Sequence, residues 1–410
     1  MSGKIYFDNS ATTPLCDEAK TAMLDAMERY GNPSSLHDFG LDAESIVFSA
    51  RKAIMSALGL RCATRLDGRQ VIFTASGTEA DNLALTGAAY AKNFSAGKKI
   101  ITSDSEHPAV LETLKSLECR GFEVIKIPTF HGIPDYEMIE RAADRDTILA
   151  SFMLVNNETG AVYDIKRISD IVKAANPDAL MHTDCVQGFL KLRFTPKSLG
   201  ADMITMSFHK VNGPKGVGAL WVSPGVLKAR KLSPVVFGGG QESGMRSGTE
   251  NVIGVAGAGA AVKANFERLD ANIAHENEVR EYIIEALSDN ERFPGVKLNL
   301  PECDKNMSEG IAKCVSSNAA SHIISVRLPE IKSEVMLHSL SHAGIYVSSG
   351  SACSSNTGHG SYVLKAFGLT DREADSTIRI SLGPQNTLEE ADRFLTEFSK
   401  SLSALVRMVR

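Results

Sequence analysis

The stretch Ser207-Phe-His-Lys-Val-Asn-Gly-Pro-Lys-Gly-Val-Gly218 follows an apolar run, 201–206, that predicts a buried strand. At the end of this strand the chain places the hydroxyl of Ser207, the imidazole of His209 and the amine of Lys210 within four positions. The glycines that follow allow the backbone to turn tightly and to pass close to a flat ligand. Such a lysine suits a Schiff base with a carbonyl cofactor, because desolvation and nearby charge can remove its proton. On this stretch alone, a surface lysine in a glycine-rich turn is the better interpretation.

Apolar runs alternate with helix-like segments through the first two thirds of the chain. Segments such as 79–93 and 165–175 have helical patterns and separate runs at 71–75, 99–103, 122–127, 147–155, 179–183, 201–206 and 218–222. This alternation predicts an α/β fold with a mostly parallel sheet covered on both faces. Beyond residue 265 the pattern predicts a smaller α+β domain. Its last helix has Thr387 as N-cap and Glu390 three residues later, a capping-box signature.

The bulk composition is that of a soluble globular enzyme. The 410 residues suffice for two domains, and the net charge of −5 argues against direct nucleic-acid binding. No apolar run reaches the length of a membrane span and no signal-peptide core is present, so we expect a cytoplasmic protein. The seven cysteines are scattered and contain no CxxC pair, which predicts neither a disulfide framework nor a metal site.

Unusual polar residues follow most of the predicted strands. They stand at 76–79, 105–108, 156–160, 182–187 and 207–210. Each group has an ordinary explanation, such as a helix cap or a turn. In an open parallel sheet, however, ligands bind beyond the carboxyl ends of the strands. Five such groups at one edge therefore favour an active site.

The residue types in these groups fit pyridoxal 5'-phosphate. This cofactor needs a lysine for its aldehyde, an acid for its ring nitrogen and a cup for its phosphate. The candidates are, in that order, Lys210, Asp184 and the Gly77–Thr78 turn at a helix N-terminus, with Ser207 and His209 as further phosphate donors. His107 could stack on the ring and move protons.

Motifs along almost the whole chain resemble, in one order, those of class V aminotransferase-fold enzymes, and specifically of cysteine desulfurases of the NifS/IscS type. The matching residues are Tyr6-Phe-Asp-Asn-Ser-Ala-Thr-Thr-Pro14, Gly31-Asn-Pro-Ser-Ser35, Thr74-Ala-Ser-Gly-Thr-Glu-Ala-Asp-Asn82, Glu106-His107, Val155-Asn-Asn-Glu-Thr-Gly160, Thr183-Asp-Cys-Val-Gln187, His209-Lys210, Gly213-Pro-Lys-Gly216, Gly238-Gly-Gly-Gln-Glu242, Arg246-Ser-Gly-Thr249, Ser349-Gly-Ser-Ala-Cys-Ser354 and Ile378-Arg-Ile-Ser-Leu-Gly383.

The resemblance implies fold type I of the pyridoxal-phosphate-dependent transferases. The large cofactor-binding domain would cover residues 13–265. The small domain would combine 1–12 with 266–410 and carry the loop of the catalytic cysteine. A homodimer is implied as well, because Thr249 would reach the phosphate bound in the other subunit.

The resemblance also implies residue roles that agree with those argued above. Lys210 would bind the cofactor covalently, and Asp184 would hold the proton on its ring nitrogen. Arg379 would clamp the substrate carboxylate, for which a guanidinium is well shaped. His107 would stack on the ring and transfer protons. Asn157 and Gln187 would bond the ring oxygen, and Asn157 would also lie near the substrate. The phosphate would be bound by Gly77, Thr78, Ser207 and His209.

Cys353 lies in a stretch, 348–360, that is rich in glycine and serine and predicts a mobile loop. A nucleophile that attacks in one place and delivers in another suits such a loop. By resemblance, its thiolate would attack the sulfur of bound L-cysteine, release alanine and keep a persulfide. The alternative is an incidental exposed thiol.

The chain departs from the family pattern in four places. Phe208 and Cys185 stand where relatives have smaller residues, and segment 303–317 looks inserted. The stretch 356–360 lacks a Glu-Pro pair often found there, which bears on the choice of sulfur acceptor.

The motifs are compatible with more than one function. Cysteine desulfurase is favoured, with selenocysteine lyase or another class V enzyme as alternatives and a non-enzymatic scaffold as a third. The acceptors implied, docking near the Cys353 loop, are iron–sulfur scaffold proteins, tRNA thiolation enzymes and thiamine-pathway carriers. The stretch 332–340, together with that loop, resembles desulfurases paired with tRNA-thiolating enzymes.

Overall fold

A computed structural model describes residues 3–91, 97–309, 318–350 and 360–409. Its strands, numbered along the chain, are β1 (Ile5–Tyr6), β2 (Val71–Thr74), β3 (Lys99–Ser103), β4 (Glu123–Ile127), β5 (Thr129–Phe130), β6 (Ile133–Pro134), β7 (Thr147–Ser151), β8 (Leu180–Asp184), β9 (Met203–Ser207), β10 (Gly218–Val222), β11 (Lys297–Leu298), β12 (Ile323–Arg327), β13 (Ile345–Tyr346), β14 (Ser348–Ser349) and β15 (Thr377–Ser381).

The helices of the described residues surround these strands. They are α1 (Asp17–Glu28), α2 (Asp38–Ala57), α3 (Arg65–Gly68), α4 (Gly77–Ala89), α5 (Pro108–Glu118), α6 (Tyr136–Ala142), α7 (Ile165–Ala175), α8 (Pro196–Leu199), α9 (Pro224–Ala229), α10 (Val252–Glu267), α11 (Leu269–Leu287), α12 (Ser333–His342), α13 (Tyr362–Ala366), α14 (Asp371–Asp375) and α15 (Leu388–Val409). In the part of the chain that the structure describes, none of them is both long and apolar enough to cross a membrane.

The central sheet has seven strands in the order β2-β10-β9-β8-β7-β3-β4. All neighbours pair in parallel except those of β10, which runs antiparallel to both β2 and β9. Successive residues point to opposite faces, so Ile100 and Ile101 belong to different hydrophobic clusters. The predicted α/β fold with a mostly parallel, doubly covered sheet is confirmed.

A second, antiparallel sheet has the order β11-β12-β15-β14. The N-terminal strand β1 pairs with β13, and the ring of Phe7 meets that of Phe394 in α15 at 5.8 Å. Ile5 and Phe7 thus share one hydrophobic cluster with the C-terminal helix. The domain limits 13–265 and 1–12 with 266–410 stay a prediction, which this pairing supports.

Element boundaries differ from the predicted ones by a few residues, and one of these differences has a clear physical cause. The strand expected over 147–155 ends at Ser151. Two residues later, the amide of Met153 donates to the buried carboxylate of Glu106 at 2.9 Å. It is therefore not available for a backbone hydrogen bond to β3. The capping box at Thr387 is present, because Thr387 and Glu390 each accept the other's amide hydrogen, at 3.2 and 3.3 Å.

Candidate active site

A cavity of about 370 Å³ lies beyond the carboxyl ends of β2, β8 and β9. Its wall brings together ten of the twelve residues predicted for the site. They are Gly77, Thr78, His107, Asn157, Asp184, Gln187, Ser207, His209, Lys210 and Arg379. The remaining two are Thr249 and Cys353.

Lys210 ends a short 3₁₀ turn, Phe208–Lys210, directly after β9. Its ammonium Nζ donates to the backbone carbonyls of Ser10 and Ala11, at 2.6 and 2.8 Å. Both of these acceptors are neutral carbonyl oxygens, which a carbonyl ligand could replace at modest cost.

Asp184 is the last residue of β8 and is 6% exposed. Its Oδ1 accepts the amide hydrogen of Val186 at 2.8 Å. Burial raises the pKa of this carboxyl to about 6, although the Val186 amide and the charge of Lys210 act in the opposite direction. A cationic N–H group placed in the cavity would favour its ionised form.

A buried polar chain lies behind Asp184. The ring of His182 is bonded by Ser151 Oγ at 2.8 Å and by Thr205 Oγ1 at 3.0 Å, and Asp81 Oδ1 lies 3.6 Å from its Nε2. Burial raises the pKa of Asp81 well above its usual value, and the charge of Asp184 raises it further. Two neighbouring carboxylates cannot both be ionised cheaply, so this pair favours a proton on Asp81 when Asp184 is charged.

The N-terminus of α4 forms another wall. Ser76 Oγ caps the helix by accepting the amide hydrogen of Glu79 at 3.1 Å. The next residue, Gly77, packs so closely that a Cβ there would lie 3.0 Å from Val186 and 3.2 Å from Ser207. This close approach brings the positive end of the helix to the cavity, where it suits an anion.

Two histidines of the cavity are held neutral. Burial, with the charge of Lys210 as a smaller cause, lowers the pKa of both His107 and His209 to about 4. His107 Nδ1 accepts the amide hydrogen of Ala109 at 3.1 Å, so the neutral ring carries its hydrogen on Nε2. His107 is thus both a helix cap and a residue of the cavity.

Arg379 enters the cavity from β15 of the second sheet. Its Nη1 donates to the carbonyl of Asn157 at 2.8 Å, and its Nη2 donates to Asp8 Oδ1 at 3.0 Å. Its Nε is buried and has no hydrogen-bond partner among the described residues. A buried donor of this kind is costly unless a ligand satisfies it.

Glu106 lies under the same edge of the sheet. Its Oε1 accepts hydrogen bonds from Ser103 Oγ at 2.6 Å and from the Met153 amide at 2.9 Å. Burial raises the pKa of its carboxyl to about 8, and these two donors oppose the shift.

The two other predicted site residues stand apart. Thr249 lines a separate cavity of about 230 Å³ with Glu242 and Arg246. Cys353 lies outside the described residues. The described residues on either side of its segment that line the main cavity are Gly350 and Tyr362.

Two of the departures from the family pattern, Phe208 and Cys185, lie in the hydrophobic core, whereas residues 356–359 of the stretch 356–360 lie outside the described residues. Phe208 is fully buried in the hydrophobic core, with its ring 6.4 Å from that of Phe73. Cys185 is also fully buried in that core. The described part of segment 303–317 is anchored to the start of α7, where Ser308 Oγ donates to Asp164 at 2.5 Å.

Other residues of the cavity were assigned no role from the sequence. They include Ser10, Ala11, Asp81, Glu158 and Tyr362. Asp81 could have been noticed in the sequence, because it is an acidic residue next to Ala80 on the buried face of α4. No local sequence pattern predicts that Ser10 and Ala11 lie at the cavity. Lys210, which donates to their carbonyls, is 200 and 199 residues away in the chain.

Comparison with known proteins places this geometry in a family. The model of the class V aminotransferases matches residues 5–394. A cysteine desulfurase IscS of Dictyoglomus turgidum is 36% identical over 407 residues, which cover 99% of this chain and 96% of the relative. A NifS-like protein of known structure superposes with a TM-score of 0.85 at 34% identity, covering 98% of this chain and 100% of its own. A structure described as SspA in complex with cysteine has a TM-score of 0.74 at 30% identity and covers 93% of this chain and 100% of its own.

The raised pKa of Glu106 predicts a pH-dependent stability. With a pKa of about 8 in the folded protein and an ordinary value of 4.5, the folded state binds the extra proton between these limits. The wild type should therefore lose stability as pH rises through this window, by at most about 1.4 kcal/mol per pH unit. Glu106→Gln does not titrate, so the melting temperature of the wild type minus that of the variant should fall from pH 5 to pH 8.

Thermal unfolding at one-unit steps of pH measures this difference. Glu112→Gln, at a side chain that is 71% exposed, is the matched control and should follow the wild type at every pH. Parallel curves for Glu106→Gln and the wild type would show that Glu106 is not a protonated buried acid.

Proposed function

The chain belongs to the class V aminotransferase family, and on this basis we propose that it is a pyridoxal-phosphate-dependent cysteine desulfurase. It converts L-cysteine to L-alanine and keeps the sulfur as a persulfide on Cys353. The observation that carries the proposal is the convergence of Lys210, Asp184, His107 and Arg379 on one cavity. A lysine, a buried acid, a neutral histidine and a guanidinium together serve amino-acid chemistry on a carbonyl cofactor.

The donor set of the cavity fits this cofactor. Lys210 would bind the aldehyde, Asp184 would face the ring nitrogen, and Asn157 and Gln187 would bond the ring oxygen. The phosphate would be held at the start of α4, where Gly77 allows close approach, by Gly77, Thr78, Ser207 and His209. When bound, the cofactor supplies an electron sink for the α-carbon of the substrate.

Arg379 would bind the carboxylate of L-cysteine. Its buried Nε lacks a partner among the described residues, while Asp8 and Asn157 hold the rest of the guanidinium in place. A carboxylate oxygen at Nε would satisfy this donor by a charge-assisted bond.

His107 would deliver a proton next to the ring. Its neutral ring has Nδ1 occupied by the Ala109 amide, so the proton on Nε2 is the one available. Since burial keeps the pKa near 4, the imidazole stays uncharged beside Lys210 at neutral pH.

Cys353 would take up the sulfur. Its thiolate attacks the sulfur of bound cysteine, an S–S bond forms and the C–S bond breaks. The electron pair of the broken bond stays with the carbon skeleton, which is protonated and leaves as alanine. The enzyme retains the outer sulfur as a persulfide.

A homodimer is part of the proposal. Large apolar side chains are exposed in and beside the loop between α1 and α2 and ahead of the glycines at 238–240, namely Tyr30 (78%), Leu36 (93%), Phe39 (56%) and Phe237 (80%). The rings of Tyr30 and Phe39 lie 5.5 Å apart, and exposed apolar surface of this kind favours an interface. Thr249 lies in the same glycine-rich region, outside the cavity of its own chain, and would reach the phosphate of the partner.

The sulfur acceptor would dock near the segment of Cys353 in the cytoplasm. The described cysteines, Cys16, Cys62, Cys119, Cys185 and Cys303, are free thiols, as is usual in reducing compartments. A tRNA thiolation enzyme is the acceptor that we propose, ahead of iron–sulfur scaffold proteins and thiamine-pathway carriers.

The visible spectrum tests the activity. The purified protein should show a visible band that depends on Lys210 and shifts on addition of L-cysteine. Alanine should be released in multiple turnovers by the wild type and not by Cys353→Ala, whose band should still shift. A band that ignores cysteine would refute the substrate, and a protein that cannot be loaded with pyridoxal phosphate would refute the proposal altogether.

Arg379→Lys provides the control for substrate binding within the same titration. Lysine keeps the charge but loses the planar fork, so the cysteine concentration at half-shift should rise about tenfold or more while the unliganded band stays. An unchanged half-shift would remove Arg379 from the substrate site.

Transfer of ³⁵S from labelled cysteine tests the acceptor. Label should pass from the wild type, and not from Cys353→Ser, to a tRNA thiolation enzyme faster than to a cluster scaffold. Transfer to the scaffold alone would overturn this choice.

Sedimentation tests the dimer. The wild type should sediment at about twice the chain mass of 44.1 kDa. Leu36→Asp with Phe39→Asp, which puts charges into the apolar patch, should shift it to the monomer mass, whereas the exposed Leu66→Asp should not. A monomeric wild type would contradict the proposal.

A further inference from the structure

The side-chain amide of Gln187 is held from two sides at the cavity wall. Its Nε2 donates to the carbonyl of Ser10 at 3.0 Å, and its Oε1 lies 3.4 Å from Nε2 of His322. A backbone carbonyl can only accept, so the nitrogen of the amide must face Ser10. The amide oxygen then faces His322, and His322 must carry its hydrogen on Nε2.

His322 is placed so that this tautomer is the one populated. It immediately precedes β12, is 1% exposed, and its Nδ1 has no hydrogen-bond partner among the described residues. Burial lowers the pKa of His322 well below its usual value, and the charges of Lys191, Arg379 and Arg280 lower it further. A ring with one hydrogen, bonded to an acceptor through Nε2, is the result.

Carboxylates face these cations from the neighbouring elements. Lys191 pairs with Glu276 of α11 at 3.1 Å, and the second oxygen of Glu276 accepts from Ser321 at 3.2 Å. Arg280 pairs with Glu281 at 2.7 Å, and Arg379 pairs with Asp8. The acids are thus engaged with the cations, and His322 faces Gln187.

We propose that His322 is a positioning residue, which fixes the orientation of the Gln187 amide so that its second N–H points to the ring oxygen of the cofactor. The inference rests on the proposed function, in which Gln187 bonds that oxygen. Turning the amide over would set its oxygen against the Ser10 carbonyl and its N–H against the N–H of His322. Both contacts would be repulsive, so His322 and Ser10 together exclude the reversed amide.

The expected consequence is a change in cofactor binding and in its spectrum. An N–H donor stabilises the ionised form of an oxygen and lowers its pKa. His322→Phe keeps a ring but lacks the donor, so the apparent Kd of the apoprotein for pyridoxal phosphate should rise about three- to tenfold. The pH midpoint of the visible band should move upward. His322→Gln, which can place an N–H at a similar reach, should restore both values.

A double-mutant cycle with Gln187→Ala separates positioning from general structural support. In the Gln187→Ala background, His322→Phe should change neither the Kd nor the pH midpoint further, because the amide it orients is gone. His131→Phe, at a histidine packed between Phe130 and Phe367 away from Gln187, is the control for loss of an imidazole and should match the wild type.

Two results would overturn the proposal. One is a His322→Phe protein with unchanged Kd and midpoint, and the other is an effect of equal size with and without Gln187. If His322→Phe does not fold, His322→Asn, whose amide is too short to reach Gln187, carries the same expectations. A wild type that binds no pyridoxal phosphate would instead refute the proposed function, which keeps the two failures distinguishable.

Discussion

The arrangement depends on the burial of Asp184 beside Lys210 at the carboxyl edge of a parallel sheet. Burial raises the pKa of Asp184 to about 6 against the opposing effects of the Val186 amide and the Lys210 charge, and burial raises the pKa of Glu106 and Glu158 at the same edge to about 8 and about 7. An edge that holds several poorly solvated acids is costly for an empty protein. A ligand that brings a positive charge to one of these acids would offset this cost.

The N-terminal segment is what connects this edge to the second sheet. Asp8 pairs with Arg379, Ser10 accepts from both Lys210 and Gln187, and the carbonyl of His209 accepts from the amide of Thr13. Residues 8–13 thus contact Lys210, His209 and Arg379. Its backbone groups and the Asp8 side chain bind residues that follow strands of the central sheet and a strand of the second sheet, which explains why a stretch with little local structure lies at the centre of the site.

The cations around the cavity are held by different kinds of partner, and the difference matches their proposed tasks. Lys210 donates to two neutral carbonyls, which a ligand could replace. Arg379 is fixed by Asp8 and Asn157 and keeps one buried donor for a substrate. Lys191 is tied to the buried Glu276, and breaking such a pair is expensive. These partners fit the ligand-binding roles proposed for Lys210 and Arg379, whereas Lys191 supports the wall behind Gln187.

The sequence by itself determined the α/β class, most strand positions and the cavity residues that directly follow the strands, because hydrophobic periodicity and the end of a strand are local properties. Lys210, Asp184, His107 and the Gly77 turn could be found in this way, and motif resemblance added Arg379. Only the tertiary structure decided that Ser10 and Ala11 hold Lys210, that Asp81 lies behind Asp184, and that His322 faces Gln187. These contacts join residues far apart in the chain, with 135 positions between His322 and Gln187, and no local pattern encodes such distances. Protonation likewise depends on burial by the assembled fold, since desolvation is the largest cause of the shifted pKa of Asp184, Glu106 and His107.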